Sequence, residues 1–322
     1  MRIKSLITGL LMACLLGTSL SAVAAYPDKP IRLIVPSASG GAADVLMRTL
    51  AIELSNQMGV PFIVENKPGG SFVIGTMELI RAAPDGYTLA YGNVVSLATN
   101  SSLLAKIPYK IEDLTLISNA FRVVNILAVN NNVPVNTVQE LIAYAKQNPG
   151  KLAFSSDGNG TTSHLGMEYF KSMAGIDLLH VPYKGASAAV TDLQGGGVQL
   201  MMMNTPVAAP HIEAGRLRAL GISDSQRSPA FPTIPTISES GLTGYEVFAW
   251  GGLVGPANMP AEIVERLNKE TRKALASPAL LEKFKTFGAA ATPSTPEEFL
   301  ALSRAETKKW AEVIKTSGAK ID

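Results

Sequence analysis

The chain has 322 residues, of which 47% are hydrophobic and 17% charged. That is enough apolar material to fill two domain cores, and it excludes a disordered chain. With 28 basic against 26 acidic residues, no charge excess exists to hold the phosphates of a nucleic acid.

Residues 1–25 have the form of a cleavable export signal. Arg2 and Lys4 supply the basic start, residues 5–20 are mostly apolar, and Ala22, Ala24 and Ala25 offer small side chains to signal peptidase. The apolar run is short for a membrane span, and no later run reaches the ~18 residues a transmembrane helix needs. The one cysteine, Cys14, lies inside this segment, in an LMAC context that also has some look of a lipoprotein signal. A mature chain beginning at Ala25 or Tyr26 has no thiol, which excludes disulfides, zinc–cysteine sites and cysteine nucleophiles. It also loses two bases and no acid, so its formal charge is zero. The expected location is the periplasm.

From residue 31 onward, short apolar runs alternate with helix-like stretches, the pattern of an α/β fold with largely parallel sheets. The first run, 31–35, leads through VPSASGGAAD into a helix over 42–57. Strands follow at 62–66 and 88–93 around a helix over 72–83. A long extended stretch, 114–135, has the look of a crossing between lobes and contains a strand at 125–130. The next helix, 137–147, opens with Thr137 and Glu140 at capping-box spacing. Strands at 152–156, 178–182, 198–204 and 217–223 alternate with helices at 162–174, 186–195 and 206–214. A second crossing lies near 236–252 and runs into a strand at 246–256. Helices over 260–276, 278–287 and 296–316 complete the chain, the last opened by Thr295, Pro296 and Glu298. Two crossings imply a discontinuous first lobe, 26–128 with 243–322, and an inserted second lobe, 129–242. A hinged pair of α/β lobes places a ligand in the cleft between them.

The loop at 35–44 tests several chemistries. No Gly-Lys-Ser/Thr follows Gly41, so it is not a P-loop, and it matches neither G-x-G-x-x-G nor G-x-S-x-G. A carboxylate site or a plain capped turn remains. With Ser39 or Gly40 as the cap, the free N–H groups near residues 40–43 would bind an anion. Asp44 in the first turn favours the helix dipole in either case. A second loop, SSDGNGTTSHLG, repeats the arrangement: Gly158, Asn159 and Gly160 permit unusual backbone angles, and Thr161, Thr162 and Ser163 bring hydroxyls to a helix start. A third, HVPYKGASAAV, carries Gly185 and Ser187, with Tyr183 either lining a pocket or packed on the surface. His164 touches ligand or steadies its helix; His180 and His211 read as structural. Trp250 walls the cleft or packs in a core, and Met201 to Met203 read as a buried strand. No HExxH, no cysteine–histidine pair and no metal-ligand cluster occurs, so nothing asks for catalysis, a cofactor or a metal.

The segments YPDKPIRLIVPSASGGAAD, VENKPGG, AAPDGYTL, SSDGNGTTSHLGMEYFKSMAG, HVPYKG, APHIEAGRLRALGIS and GLTGYEVFAWGGLVGPA together resemble the Bug-type solute receptors of tripartite tricarboxylate transporters. The resemblance runs over essentially the whole mature chain. It implies a two-lobed, type II periplasmic-binding-protein fold of the Venus-flytrap kind, with the first-lobe loop Ser37–Asp44 and the second-lobe loop Ser156–His164 holding a carboxylate, partly through water. The ligand-binding set expected on this basis is Ser37, Ala38, Ser39, Gly40, Gly41, Ala42, Asp44, Asn93, Ser156, Asn159, Gly160, Thr161, Thr162, Ser163, His164, Tyr183, Gly185, Met203, Asn204 and Trp250. Two positions depart from the family pattern. Ser37, Ala38 and Ser39 stand where the first loop commonly continues aromatic–proline, and Met203 precedes Asn204 where many members have aspartate. An uncharged-bodied carboxylate then suits the site better than an amino acid. The implied role is capture of a small carboxylate for a membrane permease, by a monomer without nucleic-acid partners. A sensor module feeding a regulatory partner is the alternative, and an enzyme on the same lobes a weaker one.

Overall fold

A computed structural model of the chain describes residues 26–228 and 230–319. The export-signal reading of residues 1–25, with Cys14, lies outside the described residues. Ten strands and ten α-helices follow one another in the described chain. In the first half, β1 (Ile31–Val35), α1 (Ala42–Met58), β2 (Phe62–Asn66), α2 (Val73–Ile80) and β3 (Thr88–Asn93) form a parallel trio in the order β2-β1-β3. A π-helical turn, Val95–Thr99, and the short α3 (Asn100–Leu103) lead to β4 (Leu114–Asn130). The second half repeats the plan. After α4 (Val138–Gln147), β5 (Ala153–Ser156), α5 (Thr162–Ala174), β6 (Leu179–Pro182), α6 (Ala186–Gly195) and β7 (Leu200–Asn204) make a second parallel trio, β6-β5-β7. Then come α7 (Thr205–Glu213), β8 (Leu217–Ile222), β9 (Phe248–Pro256), α8 (Ala261–Leu275), α9 (Pro278–Thr286), β10 (Ala289–Ala291) and α10 (Pro296–Ser317).

The expectation of largely parallel sheets holds within each trio and fails for the strands that join them. β4 is one continuous strand of 17 residues. Its first part, Leu114–Val124, pairs antiparallel with β9, and its second part, from Asn125, pairs antiparallel with β7 and β8. The change of partners falls at Val124/Asn125. The return crossing lies between Ile222 and Phe248, where Val247 donates its N–H to the Ser223 carbonyl at 2.8 Å. The two crossings run side by side. Arg122 on β4 ties them together through a two-pronged ion pair with Asp224 (2.8 and 2.9 Å) and a bond to Glu246 (3.0 Å).

Two helix starts behave as read. Thr137 accepts the Glu140 N–H, and Thr295 with Glu298 closes a full capping box. The start of α1 differs: Gly41, not Ser39 or Gly40, is the cap residue, and no side chain caps it.

The cores follow the layers. One cluster packs α1, α8 and α9 against the first sheet through Leu46, Leu50, Leu267 and Phe284. Another lies beneath α5 and α10 and spans both halves, with Phe154, Leu165, Phe170, Tyr245 and Trp310. Inside it, Glu306 Oε2 accepts the indole N–H of both Trp250 (3.1 Å) and Trp310 (2.9 Å), and Lys309 stands 3.7 Å from its other oxygen.

Candidate functional site

The carboxyl ends of β1, β3, β5, β6 and β7 carry nearly all of the expected ligand residues. In open α/β sheets this is where ligands bind, in the crevice at the point where strand order reverses. Contacts bring the loops into a ring. A Cβ on Gly185 would stand 3.3 Å from the Ala38 side chain, and one on Gly158 3.9 Å from the Tyr183 carbonyl. Thr99, on the π-helical turn after β3, donates its hydroxyl to the Gly160 carbonyl at 3.1 Å. The first and second halves of the chain therefore meet around a common cleft. A cavity of about 370 Å³ opens beside it, between Gly40, Ala42 and Val45 on one side and Ala186, Ser187 and Pro206 on the other. Among the described residues the one titratable side chain in its lining is His211, which burial and Arg216 hold below its ordinary value.

Asp44 organises the first loop. Its carboxylate accepts from the Gly40 N–H (2.9 Å), Ser39 Oγ (3.3 Å), Arg48 Nε (2.9 Å) and Asn66 Nδ2 (2.8 Å). Burial pushes this carboxyl up, but the Gly40, Asn66 and Arg48 donors together hold it below its ordinary value. Asn66 also donates to the Ser37 carbonyl at 3.0 Å. Asp44 is thus used up in holding the turn. The N–H groups of Gly41, Ala42 and Ala43 have no acceptor among the described residues, and they carry the positive end of a 17-residue helix.

The second loop is more enclosed. Thr161 caps α5 by accepting the His164 N–H (3.3 Å) and donating to the Gly158 carbonyl (2.8 Å). Thr162 sits 3.4 Å from Asn125 Oδ1. The Oγ of Ser163 is buried with no partner among the described residues, as are the Ser37 Oγ and Asp157 Oδ1. Burial lifts the Asp157 carboxyl, against hydrogen bonds from Thr161 and its own backbone.

His164 and His180 stack with centroids 4.0 Å apart, and Phe154 stacks on the far side of His180 at 4.8 Å. Gly160 donates its N–H to His164 Nδ1 at 3.2 Å, which leaves Nε2 as the protonated nitrogen of the neutral ring. His180 Nε2 meets Ser156 Oγ at 2.7 Å. Burial, the facing His180 and then Lys171 bring His164 down to about 3; burial and Lys171 bring His180 down to about 4. Both rings are neutral at physiological pH, so the loop presents donors without charge.

These shifts predict acid sensitivity. A buried histidine with a depressed native pKa contributes stability that is complete above the unfolded value of 6.5 and is lost as pH falls toward the native value. For His164 alone the loss between pH 7 and pH 5 is about 2 kcal/mol, and half-buried His180 adds in the same direction. Asp157 acts in the opposite sense. Urea melts at the two pH values, compared with His164→Asn, isolate the histidine share. A slope unchanged in the variant would refute it.

Some expected residues do not line the cleft with their side chains. Trp250 is fully buried, bonded to Glu306 and edge-on to Phe299. Met203 is fully buried with Ile126, Val190 and Ala208, on the strand face opposite Asn204. Asn93 folds the turn after β3, accepting from the N–H groups of Val95 and Ser96. The Tyr183 hydroxyl is taken by Asp192. Three residues that sequence reasoning missed contact the expected loops: Asn66 clamps the first loop, Thr99 links to Gly160, and Asn125 meets Thr162 at the start of α5. Only Asn125 carried a signal, a lone amide inside the apolar run VVNILAV.

Two α/β lobes joined by paired crossings, with neutral strand-end loops meeting at a cleft, define a solute-binding receptor of the periplasmic type. The chain belongs to the tripartite tricarboxylate transporter receptor family: the model described as "Tripartite tricarboxylate transporter family receptor" matches residues 46–319. It is 37% identical to protein BugT of Bordetella pertussis over 298 residues, covering 92% of this chain and 91% of that one. The solved structure "R. palustris Rpa4515 with adipate" superposes with a TM-score of 0.88 at 35% identity, over 91% of this chain and 98% of the other. That of periplasmic binding protein BugD gives 0.86 at 32%, over 92% and 99%.

Proposed function

We propose that the chain captures a small carboxylate between its lobes, in the periplasm after loss of its leader, and hands it to the membrane subunits of a tripartite transporter. The observation that carries this reading is the donor set. The uncapped start of α1 and the hydroxyl-rich start of α5 offer N–H and O–H groups, with neutral histidines beside them and the nearby Arg48 already paired with Asp44. Such a set satisfies an anionic acceptor and leaves an ammonium unpaired. The adipate in the Rpa4515 structure supports an acid with an uncharged body. We place the lobe division at Val124/Asn125 and between Ile222 and Phe248, where strand partners change. The proposed ligand set keeps the three loops and leaves out Met203 and Trp250. The chain binds and releases; no residue in the cleft is given a catalytic role.

Because both lobes contribute donors to one ligand, occupancy favours the closed form. Calorimetry with linear C4–C8 dicarboxylates on protein from the periplasmic fraction should find a binder. Small-angle scattering should then show the bound form at least as compact as the free form, and more uniform. Absence of binding across the series, or expansion on saturation, would refute the reading.

A further inference from the structure

One buried polar side chain is unexplained by packing. Asn125 is fully buried. Its Oδ1 accepts from the Asn204 amide and lies 3.4 Å from Thr162 Oγ1. Its Nδ2 has no acceptor among the described residues. A buried donor left unpaired costs about 1–3 kcal/mol. Asn204 and Thr162 account for the oxygen of this amide; nothing among the described residues accounts for its nitrogen.

Its position is specific. Along β4, Ile126 and Ala128 pack toward α6 and α7, whereas Leu127 and Val129 pack toward α5. Alternation puts Asn125 on the α5 side, directly opposite Asn204 across the β4–β7 pair. It thus lies under the first turn of α5, 3.4 Å from Thr162; the following residue, Ser163, also has an Oγ without a partner among the described residues and is only 2% exposed. The same residue is where β4 changes partners. Its N–H donates to Ser223 Oγ at 2.8 Å, its carbonyl accepts the Ser223 N–H at 2.9 Å, and Thr205 Oγ1 donates to the adjoining Val124 carbonyl at 2.7 Å.

We propose that Asn125 is a ligand-binding residue seated at the hinge: its Nδ2 donates to an oxygen of the bound carboxylate at the first turn of α5. The inference rests on the receptor reading above. A donor fixed to both crossing strands makes ligand occupancy felt where the lobes pivot. The chemistry it selects is an oxygen acceptor, since neither Asn125 Nδ2 nor an N–H at the α5 start can accept from an ammonium.

Asn125→Asp separates this role from a structural one. The variant keeps an oxygen for Thr162 and Asn204 and puts a second oxygen where Nδ2 stood. Calorimetry should compare wild type and variant on the C4–C8 dicarboxylates, adipate included, and on their monoamides. The variant is expected to lose roughly 100-fold or more on the acid wild type binds best, the effect of setting like charges together. It should recover on the matching monoamide, whose NH2 can donate to the new oxygen. Undiminished affinity for the acid in the variant overturns the proposal, and Nδ2 is then only the partner of a structural water. Wild type that binds no acid of the series fails the receptor reading first and this inference with it. Should Asn125→Asp not fold, the wild-type protein decides. The side-chain amide resonance of Asn125 should move downfield when the acid saturates the site, and a resonance that stays in place overturns the proposal.

Discussion

Gly41→Val is expected to weaken ligand binding by more than about 100-fold, the loss of two charge-assisted hydrogen bonds, while leaving the protein folded. Gly41 has φ −76° and ψ 166°, a conformation open to any residue. A Cβ there meets only the Ala38 carbonyl, at 3.6 Å. The turn itself is held by Asp44 and Asn66, which the substitution does not touch. The isopropyl group instead covers the N–H groups of Ala42 and Ala43, where an anion would sit. Thr162→Val gives a graded companion. It removes one hydroxyl at the α5 start and should cost roughly 1–3 kcal/mol of binding, about 5- to 150-fold. Calorimetric titration with the dicarboxylate that wild type binds best measures both. If folded Gly41→Val binds as tightly as wild type, the first loop is only a turn.

Gly252→Ala is expected to be the most damaging single methyl in the protein. Gly252 sits on β9 opposite Asn119, in the irregular part of the β4–β9 pairing. An added Cβ would lie 1.9 Å from the Ser118 carbonyl oxygen, 2.7 Å from Asn119 Cα and 2.8 Å from the Ala120 nitrogen. These are backbone atoms of the strand that runs through both lobes, so no side chain can swing aside. Either β4 and β9 separate locally or the chain fails to fold. A loss of more than ~4 kcal/mol belongs to this class of core overpacking, a fall in Tm on the order of 10 °C. Gly195→Ala is the control: nothing lies within 4 Å of its added Cβ. Thermal melts of the two variants should diverge sharply; equal Tm values would refute the steric argument.

The β-strands of both trios were legible to within two residues, because each is a short apolar run ended by glycine, proline or a polar cap. The caps at Thr137 and Thr295 were legible because an N-cap bonds a partner three residues on; that Thr161, among the three hydroxyls of its loop, is the cap of α5 was not. The 17-residue β4 was less so. Its first part read as a loose crossing, since a strand that changes partners midway shows no single burial rhythm. The π-helical turn at Val95–Thr99 left no trace either. It persists because Ser303 on α10, more than 200 positions away, donates to the Leu97 carbonyl at 2.6 Å. β10 is three alanines, made a strand only by the edge of β4 that it finds.

What the sequence by itself determined about this protein is its alphabet of local parts: two sets of strand, neutral glycine loop and helix, with an anion-friendly helix start after each. Those signals act over two to four residues and need no partner. What only the tertiary structure decided is which of them meet. Asn125 stands 37 positions from Thr162 and 79 from Asn204, and nothing in the spacing announces that three polar groups will share one pocket. Sheet order brings them together, by setting β4 beside β7 and α5 over both. The same geometry turned Met203 toward the core, since neighbouring side chains on a strand face opposite ways, and gave Trp250 to Glu306 and the core.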